Sequence, residues 1–320
     1  MKRRHFLVAI AALPLAARAQ QKTWVIGLLD AGDREEWWVT FRQEMRRLGY
    51  LEGKNLKLEP RYARGKQDQL PKLAEDLVRR KVDVIVTSGT VAASAAKTAT
   101  DKIPIVMATG TDPLSLGIAK SLSRPGENVT GLTSLSSELT GKRFALMREM
   151  FPGMSRVGIL WHRENPASAA SVRDLLSSAG GAKVAVQNLP VRDAEGLDDA
   201  FQSAVRERAN AMLVVQGPLI YRERKKIADL ALRYKVATMN GASEYADAGG
   251  LASYGPHYPE FFRRAAGYVD RILKGAHAGD LPIEQPTTFE LVINQKTAAA
   301  IGVTIPQAIM LRADRVIAAL

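Results

Sequence analysis

The sequence predicts an α/β protein made of two doubly wound parallel-sheet lobes joined by three crossover segments. Three observations predict it. Short apolar runs alternate with amphipathic helical stretches along the chain. The pattern restarts once, near residue 156. Glycines mark matching strand positions in the two passes: Gly27 and Gly158 lie 131 residues apart, Gly89 and Gly217 lie 128 apart, and Gly110 and Gly241 lie 131 apart.

In the first pass, residues 24–29 form an apolar strand, and Trp37, Phe41, Met45 and Leu48 recur at helical spacing. Leu56, Leu58, Pro60 and Tyr62 share one face of a second strand. Proline cannot complete a central ladder, so this strand belongs at a sheet edge, which fits the order 2-1-3-4-5. Leu70, Leu73, Ala74 and Leu77 make the next helix stripe. Residues 82–86 and 103–107 are unbroken apolar runs, as parallel strands covered on both faces should be.

The second pass repeats this order. Residues 156–161 form a strand, 166–179 a helix, and 183–189 an alternating, edge-like strand. Leu197, Phe201 and Val205 lie on a helix, followed by a buried strand over 211–215. Ile227, Leu230, Ala231 and Tyr234 lie on another helix, followed by a strand over 236–239. Extended segments at 128–133, 250–255 and 281–286 supply the three crossings, with a long helix carrying Phe262, Ala265, Ala266, Val269 and Ile272 between the last two. The expected organisation is a leader over 1–20, a first lobe over 21–129 and 256–283, and a second lobe over 130–255 and 284–320.

The leader expectation rests on Lys2, Arg3 and Arg4, an apolar run over 6–17 too short to span a bilayer, and the small-residue site Ala17-Arg18-Ala19. Arg3-Arg4 resembles a twin-arginine signal, but Lys2 stands where that pattern prefers Ser or Thr, so both the Sec and twin-arginine routes remain open. The expected location is the periplasm.

Composition narrows the function. The chain has no cysteine, which excludes disulfides, thiol catalysis, Cys-zinc sites and a lipoprotein anchor. Loss of the leader's four basic residues, Lys2, Arg3, Arg4 and Arg18, takes the net charge from +12 to +8. The remaining basic residues are spread over helix faces without interleaved aromatics, unlike a nucleic-acid groove. Gly27-Leu28-Leu29-Asp30-Ala31-Gly32 lacks dinucleotide-loop spacing, and neither a phosphate-binding Walker loop nor a G-x-S-x-G elbow occurs. His5, His162, His257 and His277 form no i, i+4 pair. These features predict no catalytic residues, no metal and no cofactor.

A hinged bilobal receptor binds ligand where the carboxyl ends of both sheets converge. Candidate contacts follow from that placement. Ser88 and Thr90 precede a helix, where hydroxyls and unpaired N–H groups suit an acceptor; the same hydroxyls also suit an N-cap. Asp112 can receive an ammonium group or cap a helix at Pro113. Asn165 offers both donor and acceptor. Tyr221 can cover an apolar ligand face or pack in the core. Ser243 and Glu244 form a polar pair at a strand end, although Glu244 also reads as a first-turn helix acid. Tyr254 lies on a crossing strand, which puts it near the hinge or cleft. Trp37 shares the stripe of Phe41 and Met45 and is expected in the core, which leaves Trp38 as the stacking platform.

Longer landmarks carry a family likeness. They are Arg46-Arg47-Leu48-Gly49-Tyr50-Leu51-Glu52-Gly53-Lys54-Asn55, Ile103-Pro104-Ile105-Val106, Thr111-Asp112-Pro113 and Arg124-Pro125-Gly126-Glu127-Asn128-Val129-Thr130-Gly131. Later come Ala248-Gly249-Gly250-Leu251-Ala252-Ser253-Tyr254-Gly255-Pro256 and Phe289-Glu290-Leu291-Val292-Ile293-Asn294. In these the chain resembles ABC-transporter substrate-binding proteins of the type I periplasmic-binding fold, in the tryptophan/tyrosine-type group. It departs from that group's Asn-Pro-rich pattern at His162, Arg163 and Glu164. The resemblance implies capture of a small organic ligand, an aromatic or apolar amino acid, for a membrane permease, by a monomer with no nucleic-acid partner. A sensory receptor serving a membrane kinase or chemoreceptor, and a periplasmic α/β enzyme, are the alternatives.

Overall fold

The computed structural model describes residues 22–318 apart from 112, 115, 135 and 180–183. The expected leader and Asp112 lie outside the described residues.

The first sheet grows from β1 (Trp24–Asp30), α1 (Glu35–Arg47), β2 (Leu56–Tyr62), α2 (Leu70–Arg79), β3 (Val84–Ser88), α3 (Thr90–Ala99), β4 (Ile105–Thr109) and β5 (Val129–Leu132). β3 and β4 are buried along their whole length, as their unbroken apolar sequences require. β2 is the edge strand, with Pro60 opposite Leu28, so the missing proline N–H costs no central ladder bond. α1 begins with Glu35 and Glu36 and ends with Arg46 and Arg47, complementing its dipole at both ends.

The second sheet is assembled from α4 (Ser136–Met150), β6 (Arg156–His162), α5 (Pro166–Ala179), β7 (Ala185–Val191), α6 (Gly196–Arg206), β8 (Ala211–Val214), α7 (Pro218–Arg222), α8 (Arg224–Tyr234), β9 (Ala237–Asn240), α9 (Ser243–Asp247) and β10 (Ala252–Gly255). The chain then returns to the first sheet through α10 (Tyr258–Leu273) and β11 (Ile283–Glu284). It ends on the second sheet with β12 (Glu290–Asn294), α11 (Gln295–Ile301), α12 (Gln307–Met310) and β13 (Arg315–Ile317).

The sheet orders are β2-β1-β3-β4-β5-β11 and β7-β6-β8-β9-β10-β12-β13. Both contain the doubly wound 2-1-3-4-5 arrangement expected from the sequence. The first sheet is wholly parallel. The second departs from the all-parallel expectation, because β12 runs antiparallel to β10. The reason is topological: the third crossing delivers the chain to the end of the sheet where β10 finishes, so β12 must run back along it. β5 pairs with β4 through residues 129–131, and β11 pairs with residues 131 and 132. The chain thus leaves the first sheet after Leu132.

Each sheet is covered on both faces. One face of the first sheet packs with α1 and α10 around Trp38, Phe41, Met45 and Phe262. Its other face packs with α2 and α3 around Leu70, Leu77 and Ala93. The second sheet carries two equivalent clusters, centred on Met147 and Leu213 and on Phe201 and Ile227.

Candidate ligand-binding cleft

The carboxyl ends of β1, β3 and β4 face those of β6 and β8 across a pocket with about 680 Å³ of empty space, its open mouth included. The first sheet's loops contribute Arg34, Trp37, Thr90 and Thr111 to its lining, and the second sheet's contribute Asn165 and Gln216. Arg143 of α4 and Tyr258, the first residue of α10, complete the ring near two of the crossings.

Trp37 supplies the aromatic wall. Its ring stacks on Tyr258, with centroids 4.7 Å apart and planes 15° apart. Tyr221 of the second lobe tilts against the same indole at 4.6 Å. Trp37 lies in the core cluster as its stripe predicts and also borders the pocket, whereas Trp38, expected as the stacking platform, does not line it. Trp38 is fully buried, stacks on Tyr62 and meets Phe262 edge-on, away from the pocket. The stripe of Trp37, Phe41 and Met45 marks one buried face of α1. The helix has two, because α10 packs on it while its N-terminal turn also borders the cleft.

Trp38 and Ser88 instead brace a residue that does line the pocket. Trp38 Nε1 donates to Asp30 Oδ2 at 2.8 Å. Asp30 Oδ1 pairs with Arg34 Nη2 at 3.1 Å, and Arg34 Nε donates to Ser88 Oγ at 3.2 Å. The Arg34 guanidinium lies 5.3 Å from the Trp37 ring centroid. Asp30 and Ser88 are wholly buried, so Ser88 holds Arg34 rather than lining the space.

Thr90 and Asn165 line the pocket. The Thr111 N–H donates to Thr90 Oγ1 at 2.7 Å, tying the start of α3 to the loop after β4. Gly89, at the N-cap of α3, has φ +93° and provides no side-chain cap, which leaves the helix N-terminus open on the pocket. Asn165 caps α5, accepting from the Ala167 N–H at 3.2 Å and donating to Ser168 Oγ at 2.9 Å. Gln216 Oε1 is enclosed without a hydrogen-bond partner among the described residues.

The other expected contacts lie beside the cleft. Glu244 accepts a hydrogen bond from Trp37 Nε1, bridging the lobes, while its Oε2 is buried without a described partner. Burial raises the Glu244 pKa, and the Trp37 bond partly opposes the rise. Tyr221 donates its hydroxyl to Glu36, which also receives Arg224 Nη2 at 3.1 Å. Ser243 opens α9 outside the pocket lining. Tyr254 contributes its carbonyl rather than its ring, accepting from Arg143 Nε at 2.6 Å.

Arg143 is a further lining residue, beyond the candidates the sequence predicts. It is 2% exposed, and burial pushes its guanidinium pKa below the ordinary arginine value, against the raising influence of Tyr258 and Tyr254. Nε reaches the Tyr254 carbonyl, Nη1 lies 3.5 Å from Thr140 Oγ1, and Nη2 has no partner among the described residues. The signal was its position on the stripe Thr140, Arg143, Met147 and Met150, all buried and spaced as one helix face. A cation on such a stripe needs a reason.

The family model for ABC transporter substrate-binding proteins matches residues 26–317. A tyrosine-binding protein of Clostridioides difficile is 26% identical over 253 residues, covering 79% of this chain and 72% of its own. The structure of a conserved domain protein from Vibrio cholerae superposes with a TM-score of 0.84 at 26% identity, covering 92% of this chain and all of that one. A Streptococcus pneumonia ABC domain in complex with L-Trp gives 0.80 at 23% identity, covering 91% and 99%.

Proposed function

Because the chain belongs to the ABC transporter substrate-binding protein family, we propose that it is the periplasmic capture component of an importer and holds an aromatic or apolar amino acid between its lobes. The observation that carries this reading is the pocket lined from both sheets, with the stacked Trp37 and Tyr258 rings as its apolar wall. A ligand touching both lobes favours the closed arrangement by its differential affinity for that state. The interlobe bonds Trp37–Glu244, Tyr221–Glu36 and Arg222 Nη1 to the Arg64 carbonyl add to closure. The tyrosine-binding and L-Trp-bound relatives support an aromatic ligand.

The basic, apolar and small-residue order of the first 20 residues supports export. In this reading the closed monomer docks on a membrane permease and releases its cargo chemically unchanged. The test is to identify the mass of any co-purifying ligand and to titrate the protein with aromatic and apolar amino acids by calorimetry. Saturable one-to-one binding is expected, and ligand at 100 times Kd should add about 2.7 kcal/mol of stability. Clean failure across those amino acids overturns the ligand assignment.

A further inference from the structure

We propose that Arg143 is the counter-ion for a ligand carboxylate, and that the pocket therefore selects organic acids over their neutral analogues. This deepens the receptor reading above and rests on it. A guanidinium is charged under all ordinary conditions and carries five donors. Arg143 is buried, yet no carboxylate pairs with it among the described residues, and none of the described residues lining the pocket is acidic. Among the described lining residues the one other charged side chain is Arg34, and Asp30 already pairs with it at 3.1 Å. A buried cation without a counter-charge is strongly unfavourable, so a guanidinium held here with one nitrogen unpartnered among the described residues calls for an anion supplied from outside.

A second feature points the same way. The first turn of α3, a ten-residue helix, lines the same pocket from the other lobe without a side-chain cap at Gly89. The N–H groups of a first helical turn favour negative charge. An anion between them meets the first lobe through α3 and the second through Arg143, so it links charge recognition to closure. Gly241 keeps the place open: a Cβ there would stand 2.6 Å from Arg143 Nη2 and 2.8 Å from Cζ. The aromatic wall leaves the remainder of the ligand in apolar contact, as an aryl or alkyl carboxylate requires.

The experiment titrates the purified protein with matched pairs: L-tryptophan and L-tryptophanamide, L-tyrosine and L-tyrosinamide, and phenylpropionate and its amide. Inorganic phosphate and sulfate are separate arms. Each acid is expected to bind about 10- to 100-fold more tightly than its amide. Arg143→Gln should remove that preference, as should Gly241→Ala, which displaces the guanidinium while keeping every charge. Amides that bind as tightly as the acids overturn the counter-ion role and leave the receptor reading standing. Saturable phosphate or sulfate binding without acid binding overturns the carboxylate. Silence of both acids and amides overturns the amino-acid reading and this assignment with it. The acid-to-amide ratio of the unaltered protein decides the matter even if a variant fails to fold.

Discussion

Trp37 of the first lobe donates its indole N–H to Glu244 of the second while stacking its ring on Tyr258, so one side chain both walls the pocket and clasps the lobes. Glu244 Oε2 stays enclosed without a described partner beside it. The contact couples the aromatic surface offered to a ligand to the arrangement of the two halves.

Trp37→Phe keeps an aromatic face but removes the donor. A hydrogen bond to a charged or shared acceptor contributes about 1.5–3 kcal/mol. Ligand affinity should fall about 10- to 100-fold, and small-angle scattering should show a larger radius of gyration for the ligand-saturated variant. Unchanged affinity would mean that the clasp does not contribute to closure.

Burial, the largest influence on Glu244, raises its pKa above the usual carboxylate value. The sign follows directly. A raised carboxyl pKa favours the protonated form in the closed fold, so its stabilising effect is complete below the unfolded value, about 4.3. That contribution is lost as pH rises through the raised value. Glu244→Gln should therefore melt higher than the unaltered protein near neutral pH and converge with it in mild acid. Parallel melting curves across that range would remove Glu244 as the titrating group.

Trp38 and Trp37 should separate cleanly. Trp38→Ala empties a wholly buried site and deprives Asp30 of a 2.8 Å bond. It should cost about 3–5 kcal/mol of unfolding free energy in urea melts. Trp37→Ala should show its larger effect in calorimetric affinity. The reverse pattern would restore Trp38 as the ligand platform.

Two strand glycines should rank by what their missing Cβ would strike. At Gly131, φ is +124° and a Cβ would lie 2.2 Å from the Met107 carbonyl oxygen, which is backbone and cannot yield. At Gly27 the obstacle is the Leu77 side chain at 2.9 Å, which can turn. Gly131→Ala should destabilise by about 4 kcal/mol or more, against about 1–3 kcal/mol for Gly27→Ala. Equal melting temperatures for the two variants would contradict this.

The alternating pattern made most of the architecture legible. Pro60 located an edge strand, and α5 occupies the segment its spacing predicted. Legibility failed where tertiary context decides. β12 reads like any short apolar run, and its antiparallel direction comes only from the path of the third crossing. Trp37 and Trp38 are adjacent on a helix buried on two sides, so the stripe alone could not say which ring meets the pocket. Ser88 was correctly placed at the strand end, but its hydroxyl is used by Arg34. Arg143 escaped notice because α4 mixes polar and apolar residues around its axis, and its counter-partners, Tyr254 and Gly241, lie about 100 residues away in sequence.

The returns of the chain also constrain how such a protein can be made or rebuilt. α10 and β11, from far along the polypeptide, complete the first sheet's side of the molecule, and β12 and β13 then complete the second. No uninterrupted stretch of gene encodes either half. A ribosome must reach Glu284 before the first half has all its strands and Ile317 before the second does. Exchange of one half between relatives by recombination therefore needs paired breakpoints, since a single splice would build at least one sheet from both parents.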